Sequence, residues 1–461
     1  MRDAQRVTTS DFQLPTPKRG GRVLAAFVLF LAFAGWPAAE RFGYAPEEFS
    51  ARRERLAQAL RAQSPDGGLV VLFGASEATP GLRFRQDHDF YYLTGSEALN
   101  AVLVMDVRSG SSSLFMPKLS ADEVRFEGGN WLEEPGAAKK YGLASIRPLS
   151  DLYESLARRR STSATIWTRL SDPDKIDLGR SEVTSEVARR LANPFAQHPT
   201  EDSARAASLR ARLPAYTLRD VTPPLDRLRL IKTPREIEIL RYNGRISAEA
   251  VKRAIQATGP DKYEYELEAE ATYWLVKHGI QADAYPAIVG SGPMGNQWHY
   301  GDNGRQMKAG EMVVMDYAGA LDYLTVDITR TWPVSGQFTD QQAKAYAAVL
   351  DTQKSIIAAI KPGVARSVVQ KIAADTMRKH GFDPVYAYSG HYVGLSVHDV
   401  GDWSLPFEEG MVLAIEPIID LPSQQTHVRI EDTVLVTATG AEVLSSAVPK
   451  EMNEVLALLK R

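Results

Sequence analysis

Two aspartates, Asp316 and Asp327, lie eleven positions apart in the stretch 312–334, MVVMDYAGALDYLTVDITRTWPV, each inside a run that reads as a β-strand. If the runs pair as a hairpin turning at Leu321 and Asp322, the aspartates face each other directly, with Cβ atoms about 5 Å apart. Ionised carboxylates that close repel, so such a pair shares a proton or binds a cation. Taken alone, the stretch reads equally as a solvated hairpin carrying two surface acids.

Three later clusters bear on that choice. In SGHYVGLSVHDVG, residues 389–401, His391 and His398 are seven apart. That spacing would share a helix face, but Gly390, Gly394 and the valines argue for extended chain. In a strand the two rings point to opposite faces, so a bend at Gly394 is needed to bring both to one site; taken singly, each reads as a structural histidine. In MVLAIEP, residues 411–417, an apolar strand ends in Glu416, and a carboxylate there is costly unless something partners it. Over 428–436 a two-residue period puts Val428, Ile430, Val434 and Val436 on one face and Arg429, Glu431 and Thr433 on the other. Arg429 is then either beside a carboxylate cluster or in an exposed ion pair.

Together, Asp316, Asp327, His391, Glu416 and Glu431 offer four carboxylates and one imidazole. Four negative charges in one pocket repel each other, and two divalent cations cancel them. Oxygen-rich ligation with one nitrogen and no sulfur favours Mn²⁺, Co²⁺ or Mg²⁺ over a structural zinc site. Two metals about 3.5 to 4 Å apart that share a water form a hydrolytic device.

The elements that must position these residues belong to a chain of 461 residues, for which two domains are the natural expectation. Hydrophobic content of 44%, charged content of 24% and a net charge of −3 describe an ordinary soluble protein with no basic excess to bind nucleic acid. The absence of cysteine rules out a thiol nucleophile, thiolate zinc sites and disulfides. Lys18, Arg19 and Arg22 precede an apolar run at 23–33 and the small residues Ala38 and Ala39, the layout of a secretory signal peptide. Residues 1–39 are therefore set aside as a signal peptide, or alternatively an uncleaved N-terminal anchor, and the mature protein is expected in the periplasm or outside the cell.

From 46 to 222 helical and strand-like runs alternate, with β-like segments at 69–73, 90–93, 101–106 and 114–116, which predicts an α/β domain over 40–222. Pro223 and Pro224 mark the expected boundary, with the second domain over 223–461. There Thr233, Pro234 and Glu236 form an N-cap, a first-turn proline and a capping-box acid for a helix to about residue 257. A second helix over 263–278 and strands at 287–289 and 312–316 lead into the hairpin. Helices at 339–360 and 364–380, then β-runs at 389–395, 411–415 and 428–436, repeat the plan and suggest two related halves enclosing one mixed sheet. Gly290, Gly292 and Gly295 match G-x-G-x-x-G, but no helix opens after the third glycine, so a dinucleotide site is not expected.

The order Asp316, DITRT, GHYVGLSVHDVG, MVLAIEP and VRIED resembles the pita-bread metallopeptidases, the family of aminopeptidase P, prolidase and methionine aminopeptidase, over about residues 225–440. FRQDHDFYYLTG, residues 84–95, is similar to the N-terminal domain of aminopeptidase P, so the resemblance implies an α/β N-terminal domain followed by an α+β pita-bread catalytic domain. It implies a metallo-aminopeptidase releasing the N-terminal residue of Xaa-Pro peptides by attack of a metal-bridging hydroxide. The alternatives are a prolidase acting on Xaa-Pro dipeptides, a creatinase-like hydrolase, or an inactive peptide-binding module. The implied cofactors are two divalent ions, Mn²⁺ first, with Co²⁺ or Zn²⁺ as alternatives. The expected partners are proline-containing peptides and further copies of the chain. In this resemblance Asp327 and Glu431 bridge the metals, Asp316 completes one site, and His391 and Glu416 complete the other. Glu416 also moves the water's proton, His398 stabilises the oxyanion, His299 contacts the substrate, and Arg429 supports a ligand carboxylate. Three departures concern the substrate pocket: Ala387 where many relatives have a histidine, Ile418 where a glycine is usual, and only fifteen residues from Glu416 to Glu431.

Overall fold

The computed structural model describes residues 43–78, 83–159, 164–196 and 200–460. The expected export segment lies outside the described residues, and no helix among those described is long and apolar enough to cross a membrane.

The first helix, α1 (Pro46–Gln63), buries Phe49, Leu56, Ala57 and Leu60. A six-stranded mixed sheet follows, of β1 (Leu69–Phe73), β2 (Val102–Asp106), β3 (Ser112–Met116), β4 (Ser145–Pro148), β5 (Thr165–Thr168) and β6 (Thr217–Asp220). Its order is β4-β3-β2-β1-β5-β6. Val70 and Leu72 join one core and Leu69 and Val71 another, so the run LVVLF is apolar throughout because both faces of β1 are covered. Helices α2 (His88–Thr94), α3 (Ala121–Glu127), α4 (Ala137–Lys140), α5 (Leu152–Arg159), α6 (Arg180–Leu191) and α7 (Glu201–Arg212) fill the connections. The β-like segment at 90–93 is thus helical. Its aromatic residues favour a strand by type, but Asp87 caps the Phe90 N–H at 3.0 Å and Gly95 ends the helix at φ +68°.

Pro223 and Pro224 are not in a linker; they form the first turn of α8 (Thr222–Leu230), where a missing N–H costs nothing. Next, α9 (Pro234–Ala257) starts as the sequence predicts, with Thr233 Oγ1 accepting from the Glu236 N–H at 3.3 Å and Glu236 Oε2 from the Thr233 N–H at 2.7 Å. It packs on α10 (Glu264–Lys277) and leads to β7 (Ala282–Asp283), β8 (Ile288–Ser291), β9 (Met312–Asp316), β10 (Gly319–Leu321), β11 (Leu324–Thr325) and β12 (Thr329–Pro333). The plan recurs as α11 (Asp340–Ala359) and α12 (Arg366–Lys379), then β13 (Val412–Ile415), β14 (Ile418–Leu421), β15 (Thr426–Arg429), β16 (Asp432–Val436) and β17 (Ala441–Val443), closed by α13 (Met452–Leu458).

These strands do not form one mixed sheet. They make small antiparallel sheets ordered β12-β9-β8, β11-β10-β7, β13-β16-β17 and β14-β15. The breaks have a pattern: Asp316 ends β9, Asp327 lies between β11 and β12, Glu416 between β13 and β14, and Glu431 between β15 and β16. Each candidate acid therefore sits where its strand stops. The two-residue period over 428–436 survives its break, because Val428, Ile430, Val434 and Val436 all enter one core.

The hairpin register also differs from expectation. The turn is Asp322-Tyr323, both at positive φ (+45° and +70°), so Asp316 faces Thr329 rather than Asp327. The two aspartates are therefore not direct cross-strand partners, and Asp327 lies just before the ladder begins at Thr329. Tertiary contacts hold this turn: Asp322 accepts from Gly43 N–H at 2.6 Å and Gln281 Nε2 at 2.9 Å, and Tyr323 stacks on Tyr91 with centroids 3.5 Å apart.

Residues 389–395 form no strand. The chain doubles back, with the Gly394 N–H donating to Ser396 O at 3.0 Å and the Asp399 N–H to Tyr392 O at 2.8 Å. A Cβ on Gly394 would meet Asp399 Oδ2 at 1.9 Å and Lys232 Nζ at 2.7 Å. Asp399 belongs to a buried ionic network that joins α2, α6, α8 and this loop. Arg229 binds Asp89 at 2.8 Å, Asp174 at 2.6 Å and Asp399 at 2.7 Å, while Arg180 reaches Asp89 and Asp226, and His88 Nδ1 lies 2.7 Å from Asp174. Gly394→Ala forces a side chain against this network and should cost about 1–3 kcal/mol. A lower urea midpoint measures it, and a wild-type midpoint would show that the loop can yield.

Candidate metal centre

The strand breaks converge on a cavity of about 590 Å³ whose walls include Asp316, Asp327, His391, Glu416 and Glu431. The tightest group is Asp327, His391 and Glu431, whose ligating atoms lie within 4.8 Å of one another. His391 Nε2 stands 3.3 Å from Asp327 Oδ2, 3.9 Å from Glu416 Oε1 and 4.0 Å from Glu431 Oε1. Its other nitrogen, Nδ1, is 3.1 Å from Tyr392 O. A carbonyl can only accept, so Nδ1 carries a proton, and Nε2 is the nitrogen that faces the acids.

Three of the four acids are fixed from behind. Asp327 is 5% exposed, and its main-chain N–H donates to Thr433 Oγ1 at 2.8 Å. Glu431 is 1% exposed and accepts from Thr329 Oγ1 through Oε2 at 2.7 Å. Asp316 accepts from Tyr285 Oη at 2.6 Å and from Arg429 Nη2 at 2.8 Å. Arg429 thus sits beside the carboxylates, one of the two positions its sequence left open. His398 joins through the doubled-back loop: its ring centroid is 4.2 Å from that of His391, at 61° between planes. His299 and Trp298 line the outer wall, and His299 is exposed.

Protonation follows from this crowding. Burial pushes the Asp316 carboxyl up, and with the Asp327 charge beside it outweighs Arg429, to about 7. Burial and the charges of Asp327, Glu416 and Asp316 hold Glu431 well above the usual carboxylate range. Burial alone would lower the His391 imidazolium, but the Asp327 carboxylate and the Glu416 charge overcome it and raise it to about 9. Tyr285 is raised well above its ordinary value by burial and by Asp316, so it stays protonated and donates.

The residues fit a cation. Asp327 Oδ1 and Glu431 Oε1 are buried and have no hydrogen-bond partner among the described residues, a state costing about 1–3 kcal/mol per atom and more for a charge. With His391 Nε2 they supply two oxygens and one nitrogen, a donor set for a divalent ion.

Sequence reasoning missed Tyr285, Thr329, Thr433 and Glu182. Thr329 lies within DITRT and Thr433 two residues past Glu431, but nothing local marks Tyr285 or Glu182. Glu182 approaches from α6 and places Oε2 2.7 Å from His398 Nδ1. The departing positions Ala387 and Ile418 are buried outside the cavity wall, the Ile418 N–H donating to Tyr386 O at 3.0 Å. Tyr386 meets Trp298 edge-on, with centroids 4.7 Å apart.

Residues 238–438 match the family model described as metallopeptidase family M24, and residues 49–167 match that of the aminopeptidase P N-terminal domain; 168–237 fall between them. The chain is 31% identical over 453 residues to Xaa-Pro aminopeptidase of Escherichia coli (strain K12), covering 90% of this chain and 97% of that protein. It is 26% identical over 484 residues to Xaa-Pro dipeptidase of Homo sapiens, covering 89% and 93%. Among solved structures, aminopeptidase P from E. coli with the inhibitor Pro-Leu is similar at a TM-score of 0.74 and 27% identity, covering 90% of this chain and 98% of that one.

A cation must displace the protons on Asp316 and His391, so uptake by the metal-free chain should strengthen as pH rises, most steeply below about 7, less steeply from there to about 9, and level off above. Calorimetric titration with Mn²⁺ reads this, and a flat profile contradicts it. Tyr285→Phe, which removes the donor to Asp316, should weaken uptake about 10–100-fold in the same titration.

Proposed function

The chain belongs to metallopeptidase family M24, and from that premise we propose that it releases the N-terminal residue of peptides whose second residue is proline. The observation that carries the reading is the convergence of Asp316, Asp327, His391, Glu416 and Glu431 on one cavity, with buried unpartnered oxygens on Asp327 and Glu431. Under this reading Asp316, Asp327, His391, Glu416 and Glu431 would hold two divalent cations, Mn²⁺ by preference. The bound cations supply Lewis-acid polarisation of the scissile carbonyl and a water of lowered pKa.

The chain's own residues do the rest. Glu416, at the cavity wall, accepts the attacking water's proton and returns it to the leaving proline nitrogen. His398, packed against His391, hydrogen-bonds the carbonyl oxygen as charge grows on it. His299, on the outer wall, positions the peptide. Arg429 donates to Asp316 and keeps its carboxylate aimed. Trp298, Tyr392 and Trp403 line the same cavity, and proline has no N–H to satisfy, so its ring is selected by shape. Residues 1–39 carry the features of an export signal, which supports a periplasmic or secreted enzyme.

Asp327→Asn should abolish hydrolysis of Ala-Pro-Ala while leaving the circular dichroism spectrum unchanged. Full activity in a purified variant would remove Asp327 from the mechanism. Comparing Ala-Pro-Ala with the dipeptide Ala-Pro separates the aminopeptidase from a prolidase: the aminopeptidase should turn over the tripeptide at least about tenfold faster, a difference of 1.4 kcal/mol.

A further inference from the structure

Glu182 belongs to the segment between the two family-matched regions, yet it reaches the catalytic cavity. Its Oε2 lies 2.7 Å from His398 Nδ1 and accepts the Gly179 N–H at 2.8 Å, the contact that starts α6. The carboxylate is therefore anchored to a helix terminus rather than free to swing. The backbone repeats the attachment, since the Val397 N–H donates to Ile176 O at 2.8 Å. A Cβ on Gly179 would stand 2.6 Å from His398 O, so α6 begins in close contact with the histidine it holds.

Resting on the function proposed above, we propose that Glu182 is a positioning residue of the active site, whose carboxylate fixes the ring orientation of His398 and holds its Nδ1–H. A carboxylate can only accept, so Nδ1 donates to Glu182 and Nε2 is the nitrogen left for the substrate oxygen, to which it donates once it too carries a proton. Without Glu182, Nδ1 has no other hydrogen-bond partner among the described residues. The segment 176–182 then contributes to catalysis through His398, without itself touching the scissile bond.

Two variants separate this role from helix capping. Glu182→Ala removes both, whereas Glu182→Gln keeps a capping-box side chain and an oxygen that can accept from Nδ1. With Ala-Pro-Ala, Glu182→Ala should lower kcat about 10–100-fold, by the same loss of second-partner orientation that weakens metal-bound histidines, with KM within about threefold of wild type. Glu182→Gln should recover most of kcat. The second readout is independent of turnover: ¹⁵N-histidine spectra of the full chain, with and without Zn²⁺, His398 being assigned through His398→Gln. They should show His398 protonated at Nδ1 in wild type and Glu182→Gln, and redistributed toward Nε2 in Glu182→Ala. Wild-type kcat in Glu182→Ala, or an unchanged His398 signal, overturns the proposal. A wild-type chain that fails to cleave Ala-Pro-Ala would instead overturn the substrate reading, and the spectra would still decide the part played by Glu182.

Discussion

The arrangement turns on one electrostatic constraint: Asp316, Asp327, Glu416 and Glu431 share a cavity in which, among the described residues, His391 and Arg429 are the cationic partners in direct contact. Left to itself such a group would protonate or splay apart. The raised positions of Asp316 and Glu431 record the first tendency. The threonine and tyrosine hydroxyls behind the acids prevent the second, because each donates to a carboxylate or is tied to its backbone. Unpartnered oxygens on Asp327 and Glu431 are the remaining imbalance, and they sit where a cation would relieve it.

The same constraint explains the broken sheets. In a continuous strand a side chain is held perpendicular to the sheet and shares its face with fixed neighbours. Ending the strands at or beside Asp316, Asp327, Glu416 and Glu431 lets each carboxylate leave that pattern and turn toward a common point. The hydrophobic positions on either side keep their packing, as Val428, Ile430, Val434 and Val436 show across the interruption at Glu431. A break of this kind is inexpensive where the flanking chains remain bonded to neighbours, and the Glu431 N–H still donates to Thr329 O at 3.0 Å.

The buried ionic network does a related task at longer range. Asp89, Asp174 and Asp399 are held by Arg229, with Arg180 and Lys232 alongside. Buried ion pairs add little net stability against an apolar alternative, but they are directional, and here they join α2, α6 and α8 to the loop that carries His391 and His398. Arg85 adds a second tie, donating to Tyr323 O at 2.7 Å and Leu395 O at 2.6 Å, so one side chain links the hairpin tip to that loop. The helices α2 and α6 are in this way part of the frame that aims His391 and His398.

The sequence by itself determined the chemistry and most elements. Glu416 was legible because an acid at the end of an apolar run is costly unless it is used, and Asp316 and Asp327 because their spacing suggested a facing pair, whereas His391 and Glu431 gained meaning only beside them and through the resemblance. The capped start of α9 was legible because its hydrogen bonds close within four residues. What tertiary structure decided were features whose partners lie far away in the chain. The hairpin turn moved by one residue, and the pairing of Asp316 by two, because Gly43, Tyr91 and Gln281 grip the turn. The histidine loop folded back instead of extending because Asp399 had buried cations to meet. Glu182 came to His398 across 216 positions of sequence. Local propensity and spacing can name a residue's chemistry, but contacts between distant segments fix where its atoms point.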